Sequence, residues 1–335
     1  MISNTTTIKL SRRIIGNPAC DGNVWAPVEL SIFTMCANAV ISVIATGGNC
    51  VIIMTVVKDP LKHLRTPFNY FLMNLAATDL ILGAAVMPPA VYLQYMEAIG
   101  ELTPKLNNAV RMGYFIVAMA SLLNVIVLSM NRYVAIARAI QYRIYFSKKR
   151  CVLLSVAVWL TSATFPVIYL KIGAVNYYML FACVIILTGL AVMLVIYIRV
   201  NNYLRRHIGH GKNLSNLTGT EQAQLRILLH EKKVTRTFFV ILLMFVLTYI
   251  TSACIVFVLY FWQAEDCIVR HVLRDLQSVL ISSNSCVNPF ICITRLRGFR
   301  KSVKILFTCM CRPCGRRRLV VAAKYQNKTQ NKDNQ

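Results

Sequence analysis

Acidic side chains are scarce in this sequence: 12 Asp and Glu stand against 37 Lys and Arg, and residues of either charge make up only 15% of its 335 positions. With 57% hydrophobic residues and a mean hydropathy of +0.56, so little charge excludes an ordinary water-soluble globular domain. The sequence also lacks the internal repeats that transporters carry in corresponding halves, a second globular unit, and any pairing of nucleophile with base that would suggest an enzyme. Residues 1–27 are polar and have no apolar core followed by a small-residue cleavage site. No removable signal peptide is therefore expected, and the first apolar run is expected to anchor the chain itself.

What is abundant is long apolar runs. A membrane-crossing helix needs about 20 mainly apolar residues, since the hydrocarbon layer is roughly 30 Å thick and each residue rises about 1.5 Å. Such runs fall at 28–57, 67–93, 106–138, 150–170, 177–206, 228–262 and 272–295. The fifth is least sharply bounded, because the break from Lys171 to Tyr177 is short. The net charge of +25 would suit nucleic acid if it were clustered on a soluble surface, but the basic residues alternate with the spans. Lys58, Lys62 and Arg65 follow the first run, Arg138 to Arg150 the third, Arg199 to Arg236 flank the gap after the fifth, and Arg295 to Lys304 follow the seventh. Glu97, Glu101, Glu265 and Asp266 fill the opposite gaps, so the N-terminus is expected outside, facing the extracellular space, with the C-terminus in the cytoplasm against anionic lipid. No nucleic-acid partner is expected.

This topology gives an all-α membrane protein: an extracellular segment over 1–27, a seven-transmembrane helix bundle over 28–295, a short interfacial eighth helix over 296–309 and a disordered cytoplasmic tail over 310–335. Leu296, Phe299, Val303, Leu306 and Phe307 recur at helical spacing against a basic face. Cys309, Cys311 and Cys314 follow as palmitoylation sites or free thiols; a zinc site would need a fourth ligand. An outside N-terminus makes Asn4 a glycosylation acceptor. It also leaves Cys20 and Cys267 as the two extracellular cysteines, forming a disulfide or remaining two free thiols.

Polar groups inside hydrocarbon are costly and call for a partner or a wet cavity. Asp79 lies mid-span in the second run, with Asn49 in the first, Ser121 and Asn124 in the third, and Asn284, Ser285 and Asn288 in the seventh. A carboxylate among amides and hydroxyls could hold a small hard cation such as Na⁺, or serve as hydrogen-bonding glue between helices. No other cofactor is expected.

Gly48-Asn49, Asn74 to Leu80 with Asp79, Asn131-Arg132-Tyr133, Trp159, Tyr197, Phe245 and Asn288-Pro289 fall on seven successive runs in one order. The set resembles the rhodopsin-like (class A) G-protein-coupled receptors over about 28–310. That resemblance implies a plasma-membrane, multi-pass receptor that binds an extracellular ligand and passes the signal to a heterotrimeric G protein by helix rearrangement. Under it, Asn131, Arg132, Tyr133, Glu231, Tyr197, Asn288 and Pro289 form the coupling switch, with Glu231 holding Arg132, while Asp79, Ser121, Asn284, Ser285 and Asn288 form a sodium pocket. Glu97, Tyr114, Ala118, Tyr178, Tyr249 and Gln277 are the candidate ligand residues.

The departures are as informative. Asn131 replaces the usual acid beside Arg132, and Thr248 to Thr251 replaces the sixth helix's Cys-Trp-x-Pro. Gly189 stands near the fifth-helix proline, Cys292 replaces the tyrosine after Asn-Pro, and Asn107 and Asn108 stand where a disulfide cysteine usually lies. A short second outer loop and these losses are similar to melanocortin and cannabinoid-like receptors. Tyr114 replaces the aspartate of amine receptors and Ser282 the lysine of opsins, so neither a bioamine salt bridge nor retinal is expected. The alternatives are a seven-helix ligand-binding or scaffold protein with little G-protein activation and, further off, a transporter.

Overall fold

The computed structural model describes residues 26–310 apart from 63, 102, 139–140, 169–170, 172–176, 178–179, 211–218 and 262–266. Within them, seven helices are long and apolar enough to cross a membrane. They are α1 (Val28–Lys58), α2 (Pro67–Ala98), α3 (Pro104–Ala137), α4 (Lys148–Ile168), α5 (Leu187–His210), α6 (Gly219–Phe261) and α7 (Cys267–Arg295). A shorter α8 (Arg297–Met310) follows. One end of the bundle is marked by Val28 and the other by Lys58.

Local chemistry sets several boundaries. Thr66 caps α2 by accepting from the Asn69 amide at 3.4 Å, and Pro67 takes the first helical position, where its missing N–H costs nothing. The helix widens into a π turn over Leu82–Val86 immediately before Pro88 and Pro89, which absorbs the carbonyls those rings cannot satisfy. Two helices start well before their apolar runs. The polar stretch from Gly219 to Ile227 continues α6 toward the Lys58 end, since Glu, Gln, Ala, Leu and Arg are good helix formers. Cys267 to His271 extends α7 because its first turns carry charge, which hydropathy alone does not count as span.

Helix α3 packs against α2, α4, α5 and α6, and α1 closes the bundle against α2 and α7. Phe71, Leu72, Leu75, Leu122, Val125, Leu128 and Phe245 form the dry centre. Val43, Leu153, Leu160 and Val195 are exposed on the outside, where lipid replaces water as the favourable solvent. Helix α8 buries Phe299, Val303 and Leu306 against α1 and α7, while Phe307 turns outward.

Glycines permit close helix approaches, as at Gly189 and Gly48. A methyl at Gly189 would lie 3.0 Å from Leu122, joining α5 to α3 where a proline is absent. At Gly48 it would lie 2.8 Å from the Pro289 ring, which cannot swing aside. Gly48→Ala is therefore expected to push α1 from α7 and lower stability by about 1–3 kcal/mol. Gly47→Ala, with nothing within 4 Å of the added methyl, is expected to leave the melting temperature unchanged or raise it slightly. Thermal unfolding of both purified variants checks the contrast.

Candidate functional site

Asp79 lies at the centre of the bundle, 1% exposed. Its two carboxylate oxygens accept separately from the Ser285 hydroxyl and the Asn288 amide, each at 2.7 Å, which ties α2 to α7 on either side of one helical turn. Asn49 supports the same turn from α1, donating to the Ser285 carbonyl at 3.0 Å, while its own amide oxygen is buried with no partner among the described residues. Ser121 and Asn284 are buried, but no hydrogen bond among the described residues joins either to Asp79. Asn124, on α3, joins a second network instead. It donates to Thr78 at 3.1 Å and accepts from Asn74 at 2.6 Å, and Asn74 in turn accepts from the Trp159 indole at 2.9 Å.

Toward the Lys58 end, Arg132 is 5% exposed. Its guanidinium donates to the Asn131 amide oxygen at 2.9 Å and lies 4.2 Å from the centre of the Phe68 ring of α2. Asn131 also donates to the Tyr142 hydroxyl at 3.1 Å, in the one-turn helix Tyr142–Tyr145. An amide oxygen thus takes the place of the missing carboxylate, and an aromatic face supplies a second restraint. Tyr133 packs against Ile136 and Val200, and Tyr197 stacks on Phe239 with 4.5 Å between rings. The side chains of Glu231 and Cys309 lie outside the described residues, as do Asn4, Cys20, Tyr178, Cys311 and Cys314. Cys267 is buried and disulfide-bonded.

At the Val28 end a cavity of about 210 Å³ opens among α2, α3, α6, α7 and the π turn Phe181–Ile186 that precedes α5. Glu97, Tyr114, Ala118, Tyr249 and Gln277 line it. Tyr249 stacks on Phe245 at 4.2 Å and donates from its hydroxyl to the Ala118 carbonyl at 3.3 Å, linking α6 to α3 where the usual tryptophan is missing. Tyr114 shares a 3.4 Å hydrogen bond with Ser282, and Gln277 donates to Ser252 at 3.1 Å. Arg274 lies between two carboxylates, donating to Glu97 at 2.8 Å and to Asp275 at 2.8 Å. His271 stands 3.5 Å from Glu97, and Thr34 donates to Asp275 at 3.2 Å, so α1, α2 and α7 meet at one ionic cluster.

This arrangement has a counterpart among known proteins. The sequence profile described as 7 transmembrane receptor (rhodopsin family) matches residues 48–177 and 169–291. The chain belongs to the rhodopsin family of seven-transmembrane receptors. It is similar to the histamine H2 receptor of Rattus norvegicus, at 25% identity over 82% of this chain and 81% of that one. It is also similar to the D(4) dopamine receptor of Mustela putorius furo, at 34% identity over 35% of this chain and 32% of the relative. The octopamine receptor Oamb of Drosophila melanogaster is 33% identical over 36% of this chain and 18% of its own. In these last two matches the chain spans about a third or less of the relative's length.

Several residues of the receptor's sites were not evident as such in the sequence. Arg274 and Asp275 line the cavity and His271 joins their cluster, yet all three lie in the charged opening turns of α7, whose signal was four ionisable residues, Arg270 among them, at the start of one membrane-crossing helix. Phe68 carried no signal, because one apolar residue in a span is indistinguishable from core. Tyr92 and Tyr95, on the same helix as Glu97, are 47% and 48% exposed and do not line the cavity. Arg274→Gln leaves Glu97 and Asp275 facing each other without the intervening cation. It is expected to lower the melting temperature of the purified receptor, and Glu97→Gln in the same chain to restore part of the loss by removing one of the two charges. No recovery in the double variant would show that Arg274 acts through packing instead.

Proposed function

We propose that this chain is a plasma-membrane receptor that binds an extracellular small molecule in the cavity at the Val28 end and activates a heterotrimeric G protein at the Lys58 end. The observation that carries this reading is the placement of a charged cavity at one end of the bundle and a restrained Arg132 at the other, with the buried Asp79 network between them. The excess of Lys and Arg at the Lys58 end supports a cytoplasmic orientation for that face. The histamine, dopamine and octopamine receptors are named for amines, but Tyr114 supplies no carboxylate, so an amine here would need its counter-charge elsewhere.

In this reading the ground state holds Arg132 through Asn131 and Phe68, with Glu231 as a further acceptor from α6. Asp79 and its hydroxyl and amide neighbours fit a sodium ion by their oxygen chemistry, with Ser285 and Asn288 turning their oxygens to the ion in place of their hydrogens. Ser121 and Asn284 would complete the set. Sodium bound there favours the more compact state, since a ligand shifts an equilibrium only by its differential affinity.

Guanine-nucleotide exchange in membranes, at matched surface expression, tests the reading. A cation–π contact is worth about 0.5–2 kcal/mol. Phe68→Leu is therefore expected to raise ligand-free exchange severalfold, and Arg132→Ala to abolish it. Glu231→Ala is expected to raise exchange and Asn131→Asp to lower it. Exchange that none of these variants alters would contradict G-protein coupling through Arg132. Sodium titration is expected to lower exchange in the wild type and to lose that effect in Asp79→Asn; equal titration in both would remove the ion from Asp79.

A further inference from the structure

The cavity holds more charge than its internal pairs use. Two carboxylates, Glu97 and Asp275, share the Arg274 guanidinium at 2.8 Å each, and the His271 ring stands 3.5 Å from Glu97. Arg111, on α3 and one turn nearer the Val28 end than Tyr114, lines the same cavity and has no ion-pair partner among the described residues. One wall therefore has a cation without an ion-pair partner among the described residues, and another has two carboxylates that share one guanidinium, so a ligand that brings both counter-charges meets complementary groups on both walls. Tyr114, Phe115, Phe181 and Tyr249 line the same cavity and give it an aromatic share of wall.

We propose that the ligand of this cavity is a small zwitterion, a free amino acid or a close relative, whose carboxylate pairs with Arg111 and whose ammonium pairs with the Glu97 and Asp275 carboxylates. The volume of about 210 Å³ selects a small molecule, as it lies below the roughly 300–1,000 Å³ of pockets that take drug-sized ligands. Neither charge alone satisfies the site. A simple amine leaves Arg111 without a counter-charge, and a simple carboxylate leaves the two acids sharing one guanidinium. The same distribution explains how a receptor related to amine receptors can carry tyrosine at 114: the cation's counter-charge lies on α2 and α7.

This inference rests on the cavity being the receptor's ligand site, and the experiment separates the two. The full-length receptor, purified in detergent, is titrated by thermal shift with the free amino acids, β-alanine and γ-aminobutyrate. Matched amines without the carboxylate and matched acids without the ammonium, such as tyramine and 3-(4-hydroxyphenyl)propionate against tyrosine, are titrated in parallel. At least one zwitterion is expected to raise the melting temperature saturably, with both matched analogues at least tenfold weaker. Arg111→Gln is expected to abolish the preference over the amine, and Asp275→Asn the preference over the acid. Arg111 is outside the ionic cluster, so its variant keeps the test valid if Asp275→Asn folds poorly. An amine that binds as well as its amino acid, an acid that does so, or no shift from any zwitterion overturns the proposal. Because thermal shift needs no G protein, binding without nucleotide exchange would leave this inference standing and count against coupling. Exchange driven by some other ligand, with no zwitterion bound, would do the reverse.

Discussion

The hydrocarbon layer offers no water, and every polar group inside it must find a partner in the protein. In this bundle two side-chain networks on the buried faces of five helices meet much of that constraint. Asp79 with Ser285, Asn288 and Asn49 joins α1, α2 and α7, and Asn74 with Asn124, Thr78 and Trp159 joins α2, α3 and α4. Apolar contact does not distinguish a helix neighbour from lipid, so directional bonds and close small-residue approaches, such as Gly48 against Pro289, set which helices touch and where. Individual interhelical hydrogen bonds in membranes average about 0.6 kcal/mol, so the arrangement depends on several acting together rather than on any one.

The same principle accounts for the departures from the family pattern. Two of the lost motifs are offset by a nearby group that makes a related contact. Asn131 accepts from Arg132 with an amide oxygen instead of a carboxylate, a weaker hold because neither charge nor bidentate geometry contributes on the acceptor side. Phe68 adds the contact that charge no longer makes. In α6, which has no interior proline, Tyr249 fills the buried position and bonds across to α3. These exchanges preserve the packing while lowering the specific restraint on Arg132, which is the physical basis for expecting measurable ligand-free activity.

Much of this was legible in the sequence, for reasons that differ by residue. The seven spans follow from hydropathy alone, because apolar length and membrane thickness are matched quantities. Asp79, Ser285 and Asn288 could be grouped because a mid-span carboxylate is expensive, and two polar residues on one face of α7 were available to meet it. Ser121 and Asn284 share that chemistry without the bond, a difference of side-chain direction that spacing cannot resolve. Arg274 and Asp275 were hidden because charges at a helix start read as the membrane boundary, and only the packing of α1 and α2 against α7 shows them turned inward. The helical reach of Gly219 to Ile227 was missed because polar helix leaves no mark in an apolar run.

The account stands on the claim that the Asp79 network, not apolar packing alone, holds the bundle in its resting arrangement. Ser285→Ala tests it most directly, since it removes one of the two donors to the carboxylate and little volume. Guanine-nucleotide exchange without ligand, measured in membranes at matched surface expression, is predicted to rise severalfold while the protein still folds. Exchange at or below the wild-type level, in a variant whose melting temperature is unchanged, would contradict the claim.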